Sequence, residues 1–370
     1  MTDISNEHSI VLTLDAGGTS LRFCGMRAGK RVTDMVALDT HGDNLELCLM
    51  NIVGGFARVR EMCPVPPVAI SFAFPGPADY PNGIIGDLGN LPAFRGGIAL
   101  GPILREKFGI PVFISNDGDL FAFGESIAGF LPYVNGLLEK GGSPKRYRNL
   151  LGVTLGTGFG GGIARNGELL LGDNSVAGEI WLLRNKLLPA MNVEQSVSIR
   201  AVRRVYPEVA GIPLESAPDP KDICKIGTGA SPGNRNAACE AFRQLGEAAG
   251  DAVAQTLNLV DGLVVIGGGL ANAWPLFVPS LVAELNATYK TFQGQDFRRL
   301  AVDAFNLEDS TALEMFVRGN SREIIVPKTG EKVLFDLMPR IAIGISRLGT
   351  SEAIALGAYA FALQKLNQKN

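Results

Sequence analysis

With 370 residues, 46% hydrophobic and 19% charged, the chain is too long for one small core and suits a soluble protein of two ordinary domains. A net charge of −3 and scattered basic residues, with a single dense cluster at 145–148 (Lys-Arg-Tyr-Arg), argue against a nucleic-acid binder built on a basic face. Five cysteines (Cys24, Cys48, Cys63, Cys224 and Cys239) without a C-x-x-C pair fit free thiols in a reducing compartment, and two histidines, His8 and His41, leave little for a Ser-His-Asp triad or a His-rich zinc site.

The first residues, MTDISNEH, are polar and lack the apolar core of a signal peptide, so a cytoplasmic protein is expected. Short apolar runs lie at 9–15, 67–76, 111–117, 150–158 and 262–269, each ending in a polar or glycine-rich turn. Runs this short, rich in Val, Ile and Phe, read as buried central strands. Helical stretches at 98–108, 118–130, 236–257 and 351–366 lie between or after them, and the alternation predicts an α/β fold. Gly262 to Ala283 carries no charge, but three consecutive glycines, Asn272, Pro275 and Pro279 make it a strand, a turn and a helix rather than a membrane span.

Two segments echo each other. LTLDAGGTSLRF at 12–23 and GVTLGTGFGGGIAR at 152–165 are each a strand, a Gly/Thr turn and an alternating second strand, leading to a polar turn at Ala28-Gly29 or Asn166-Gly167. Two such hairpins predict two related domains flanking a cleft, with the boundary near 118–125. The run Gly156 to Gly161 matches G-x-G-x-x-G, yet the residues after it alternate and turn at Asn-Gly instead of opening a helix, which speaks against a Rossmann site. Either hairpin turn can be a plain β-turn or a phosphate cradle of backbone N–H groups, with Asp15 placed for the accompanying metal ion. A third turn, Gly267-Gly268-Gly269, offers bare backbone to a base and ribose. In open α/β sheets ligands bind beyond the carboxyl ends of strands, where these residues fall.

LDAGGTSLRF, FPGP, ISNDGDLFAFGE, LGTGFGGGIARNGELLLGD, AGEI and VVIGGGLA, in this order between about residues 9 and 365, resemble the ROK family of sugar kinases and repressors, of the actin-like and hexokinase-like ATPase superfamily. The resemblance implies two RNase H-like domains: residues 1–120 with a C-terminal helix at about 351–370, and residues 121–350. It puts the nucleotide on Asp15, Gly17, Gly18 and Thr19, on Gly156, Thr157 and Gly158, and on Gly268 and Gly269. It makes Asp117 the general base, assigns sugar contacts to Asn90, Asn116, Asp117, Glu179 and Glu194, and places Asp15 near Mg²⁺ through water. The implied reaction is ATP-dependent phosphorylation of an aldohexose such as glucose at its 6-hydroxyl. The implied partners are ATP, Mg²⁺ and the hexose, without nucleic acid or membrane, and a homodimer is compatible. Phosphoryl transfer asks for positioning and charge stabilisation, which carboxylates and backbone amides supply. Each residue also has a structural reading: Asn90 and Asn116 as turn residues, Glu179 as a helix start, Asp117 as an N-cap.

Two departures stand out. Many family members carry a His two residues after the GEI segment and then a Cys-rich zinc loop; here Trp181 and Leu182 occupy that place and residues 173–200 hold neither Cys nor His. No structural zinc is expected, and Trp181, Leu182, Leu183, Leu187, Leu188 and Met191 are the expected apolar anchors of the loop. The chain also carries an insertion between about 286 and 345, with a hairpin expected at EIIVPKTGEKVLF. Of the rival readings, a repressor needs a helix-turn-helix domain, for which about eight residues ahead of the first strand are too few. A non-catalytic sugar sensor keeps the fold without turnover.

Overall fold

Alternating apolar runs and helices fold into two β-sheets with helices packed on them, in a computed structural model that describes residues 8–17, 19–86 and 92–368. Gly18 and Asn90 lie outside the described residues. Val11–Ala16 (β1) turns through Gly17 into Ser20–Arg27 (β2), antiparallel, with Val11 opposite Met26 and Ala16 opposite Leu21. Ala28 and Gly29 both take positive φ in the turn to Lys30–Arg31 (β3), the backbone that suits a right-twisted hairpin. Val36–Asp39 (β4) pairs with the start of β2. Helix Leu45–Met62 (α1), capped by the Asn44 side chain, returns the chain to Ala69–Ala73 (β5), parallel to β1. A small hairpin, Ala78–Asp79 (β6) with Ile84–Ile85 (β7), and Leu100–Phe108 (α2) lead to Val112–Ser115 (β8), parallel to β5. The sheet order is β3-β2-β1-β5-β8, with β4 beside β2. Its core is aromatic: Phe23 meets Phe56 edge-on at 5.1 Å, and Phe72, Phe74 and Phe94 continue the stack.

Asp117–Ile127 (α3) begins two residues after β8. The helix expected over 118–130 divides there, because Ala128 leaves helical φ and caps α3, and Phe130–Lys140 (α4) starts afresh. Asn149–Leu155 (β9) and Phe159–Arg165 (β10) form the second hairpin, with positive φ at Asn166 and Gly167 before Glu168–Leu169 (β11). This repeats the β1-β2-β3 arrangement. After an irregular loop come Ile199–Ala210 (α5), Pro220–Thr228 (α6), the long Arg235–Val260 (α7), Leu263–Gly267 (β12) and Trp274–Leu285 (α8). Then come Thr288–Lys290 (β13) and Asp296–Arg298 (β14), Asp303–Asn306 (β15), Ser310–Arg318 (α9), Ser321–Ile325 (β16) and Lys332–Asp336 (β17), Arg340–Ile345 (β18) and Thr350–Asn367 (α10). Strands β9, β12, β18 and β15 run parallel in that order, with β10 outside β9. The expected hairpin of the insertion is β16-β17, and β13-β14 is a second one.

Contacts group the chain into two compact units. One runs to Gly129 and adds Gly162–Gly178 and the chain from Leu348; the other is Phe130–Gly161 with Glu179–Arg347. In the first unit α10 lies on α3 with no room for side chains at two places: a Cβ on Gly124 would overlap the backbone of Ala353, and one on Gly357 the carbonyl of Leu120. All five cysteines are free, and no helix among the described residues is long and apolar enough to cross a membrane. The uncharged stretch 262–283 is β12, a glycine turn and most of α8.

Candidate active site

In the first unit the carboxyl ends of three adjacent parallel strands converge. Asp15 is the next-to-last residue of β1, Phe74 and Pro75 come after β5, and Asn116 and Asp117 come after β8. A cavity of about 240 Å³ lies there, with Asp15, Gly17, Thr40, Pro75 and Asp117 in its wall. Asn116 rather than Asp117 caps α3: its Oδ1 accepts from Gly118 N at 2.7 Å, and Asp117, the first helical residue, accepts from the same N–H at 2.8 Å. The Asp117 side chain is exposed to solvent in the cavity wall, and the protein atoms around its carboxyl desolvate it in part. That desolvation pushes its pKa above the ordinary carboxylate value, opposed by the N–H groups of Gly118 and of Asp117 itself. A carboxylate so held can orient a hydroxyl and receive its proton.

Gly162, in the part of β10 that belongs to this unit, lies against the first turn of α3, next to Asp117. A Cβ there would run into the carbonyl of Gly118 and the Cα of Asp119, so strand and helix head touch backbone to backbone. Sequence reasoning missed Gly162, although glycine within a strand is the signal for such an approach.

The two hairpin turns are closed by the amides that a bare phosphate cradle would leave open. Gly17 N donates to Ser20 O and Gly156 N to Gly158 O, both at 3.0 Å. Thr40 Oγ1 donates to Gly17 O at 2.6 Å. Thr19 and Thr157 are exposed at the tips.

In the second unit the β9-β10 turn and the β12 turn are neighbours. Gly268 holds a positive φ of 88° and a Cβ on it would strike Leu155, so the turn itself requires this glycine, while Leu270 N donates to Leu155 O. Gly156 and Gly269 differ: a Cβ on either would meet no atom within 4 Å. Glu194 lies against the first turn, where one carboxylate oxygen accepts from Phe159 N at 3.1 Å and the other pairs with Arg200 at 2.9 Å. Its carboxylate is therefore committed to the hairpin. Glu179 stands at the head of a short 3₁₀ turn but makes no side-chain cap; it accepts instead from the indole N–H of Trp181.

The loop carrying both acids is not held by the expected apolar anchors alone, since Leu182 is 58% and Met191 52% exposed. Asn185 is fully buried and organises it: its amide donates to Asn192 O at 3.1 Å and Ser196 Oγ at 2.9 Å, and its Oδ1 accepts from Leu187 N and Leu188 N. The donor set does not fit a structural zinc, which takes Cys and His ligands, and no three His, Cys, Asp or Glu among the described residues converge on a metal site. Asp15 and Asp117, on one cavity wall, are hard oxygen donors of the kind Mg²⁺ takes.

The sequence pattern of the ROK family matches residues 11–313. A crystal structure of a glucokinase from Parabacteroides distasonis ATCC 8503 is 51% identical, over 98% of this chain and 99% of that one, with a TM-score of 0.89. A glucokinase of Thermotoga maritima is 26% identical over 71% of this chain and 83% of its own length. A ROK family glucokinase from Streptomyces griseus in complex with glucose and AMPPNP shares the fold at 19% identity, with a TM-score of 0.58 over 95% of this chain and 98% of that one.

Proposed function

This chain belongs to the ROK family, and from that premise we propose that it transfers the γ-phosphoryl group of ATP to the 6-hydroxyl of an aldohexose, glucose first among them, with Asp117 as general base. It is an ATP-dependent sugar kinase, as its glucokinase relatives and their shared fold support. The observation that carries the finer reading is the cavity at the ends of β1, β5 and β8, where Asp117 and Asp15 share a wall with Gly17.

Asp117 accepts a hydrogen bond from the attacking hydroxyl and orients its oxygen toward the γ-phosphorus. As that oxygen bonds to phosphorus and the bond to the β,γ-bridging oxygen breaks, Asp117 takes the proton and ADP leaves. Its raised proton affinity suits a base that must hold the proton until the sugar phosphate departs. Asn116 and Glu179 hydrogen-bond the remaining hydroxyls, with Asn90 in the same role by family position. Asp15 would hold a Mg²⁺ ion, which when bound would supply charge neutralisation for the phosphates. By family position, Gly17 and Thr19 in the first unit and Gly156, Thr157 and Gly158 in the second are the residues that receive the phosphates. The surface of Gly268 and Gly269 takes the base and ribose, since Gly269 has open space where a side chain would stand. Glu194 serves by holding the β9-β10 turn.

A coupled ADP-release assay with Mg-ATP across hexoses and N-acetylhexosamines tests this. Glucose or a close aldohexose should turn over fastest, and NMR of the product should show phosphate on O6. Turnover confined to N-acetylhexosamines, or product carrying phosphate elsewhere, would refute the substrate assignment; no turnover with any sugar would favour the sensor.

A further inference from the structure

The loop from Glu179 to Ser196 carries Glu179 and Glu194 without donors for the zinc that the family resemblance implies, so something else must fix it. Asn185 organises the loop internally, but internal bonds do not anchor a loop to its scaffold. The next residue does. Lys186 Nζ lies 2.7 Å from Glu284 on α8 and 2.9 Å from Glu247 on α7, bridging the two helices on which this loop rests. These carboxylates are themselves held. Arg243 pairs with Glu247 at 2.8 Å, and the other oxygen of Glu284 pairs with Arg299, whose side chain is 3% exposed. Arg299 also pairs with Asp251 on α7 and donates to its carbonyl at 3.1 Å. It sits at the foot of the β13-β14 hairpin, tied to Ala287 through its own N–H and lying over the ring of Tyr289.

With Glu240, which also pairs with Arg243 at 2.7 Å, three cations thus alternate with four acids. A buried guanidinium with two carboxylates is a poor source of stability, but it fixes geometry, because removing a member leaves charge unpaired in the interior. Arg299 pairs with Asp251 and Glu284, and Glu284 in turn grips Lys186. We propose that Lys186, braced by Arg299 through Glu284, is the positioning residue that sets the sugar-binding loop, and that the hairpin β13-β14 serves it by holding Arg299 in place. The inference rests on the kinase reading for its kinetic consequence and on geometry alone for its structural one.

Both arms can be measured on the full chain. In Lys186→Met, hydrogen exchange at the amides of Asn185, Leu187, Leu188 and Val193, all bonded within the loop, should quicken about fivefold, a magnitude appropriate to a partly exposed ion pair. The KM for sugar should rise by a similar factor, more than kcat falls, with the KM for ATP steady. Lys186→Arg should restore both. Arg299→Met should act in the same direction on the same amides; should it fail to fold, Lys186→Met decides. Unchanged exchange in the loop, a rise in the KM for ATP equal to that for sugar, or no rescue by Arg would overturn the brace. A wild-type protein that phosphorylates no sugar would overturn the kinase reading instead, and the exchange arm would then judge the brace on its own.

Discussion

Replacing Trp181 by Phe keeps a flat ring in the loop and deletes one N–H, the donor to the Glu179 carboxylate. A hydrogen bond to a charged group contributes roughly 1.5–3 kcal/mol when sheltered. Trp181 and Glu179 are both only partly buried, so water replaces much of the lost donor and about 1 kcal/mol remains. With RT near 0.59 kcal/mol, that energy corresponds to roughly a fivefold rise in the KM for sugar, if the bond sets how the acid faces the sugar hydroxyls. The assay is ADP release at saturating ATP with sugar varied, then ATP varied at saturating sugar. Trp181→Ala should cost more, because it removes the ring as well. A KM for sugar within about 1.5-fold of wild type, or an equal loss in the KM for ATP, would show that the indole N–H does not orient Glu179.

Asp117→Asn should lower kcat by about two to four orders of magnitude while sugar binding by calorimetry stays near wild type; near-normal turnover would remove Asp117 from the base role. Because desolvation raises the Asp117 pKa, kcat/KM should climb with pH through a limb above the ordinary carboxylate range. The sign for stability is the reverse: a carboxyl with a folded pKa above its unfolded one contributes stability that is lost as pH rises through the folded value, so Asp117→Asn should match or exceed the wild-type Tm at pH 7. Gly156→Val should weaken nucleotide binding and leave the apo Tm unchanged, since a Cβ there would meet no atom within 4 Å beyond its chain neighbours; a fall in apo Tm would mean the turn needs the glycine. Gly158→Val is a poorer probe, because a Cβ there comes within 2.7 Å of Glu194 and disturbs its bond to Phe159. Chelation should leave the Tm unchanged and elemental analysis should find no stoichiometric zinc; one tightly bound zinc per chain would contradict the donor argument.

The strands and hairpins are legible in the sequence because their signals are local. Short Val/Ile/Phe runs ending in polar turns mark β1, β5, β8, β9 and β12, and Asn166-Gly167 announces its turn by composition alone. The groups that govern the site at a distance leave weaker traces. Gly162, Gly124 and Gly357 look like weak points in a strand and two helices until the chain is folded and another backbone fills the space. Asn185 reads as one more polar loop residue, since nothing local shows that four groups will converge on it. The apolar residues around it are the more conspicuous anchors, yet hydrophobicity does not say which of Leu182 and Leu183 will face water. Glu194 is visible as an acid near the site, but its attachment to Phe159 N depends on a turn 35 residues earlier.

The contact between α10 and α3 bears on when the protein becomes competent during its synthesis. The helix that carries Asp117 at its head is sealed by residues near the other end of the chain, Ala353 and Gly357. While the ribosome is still adding α10, the face of α3 that meets it is uncovered, and the first unit lacks one of its layers. The second unit, complete by Arg347, can fold ahead of it. The Asp117 carboxylate is then among the last parts of the first unit to be fixed, so in a nascent chain the β9-β10 turn would be in place before the helix that carries Asp117 is sealed.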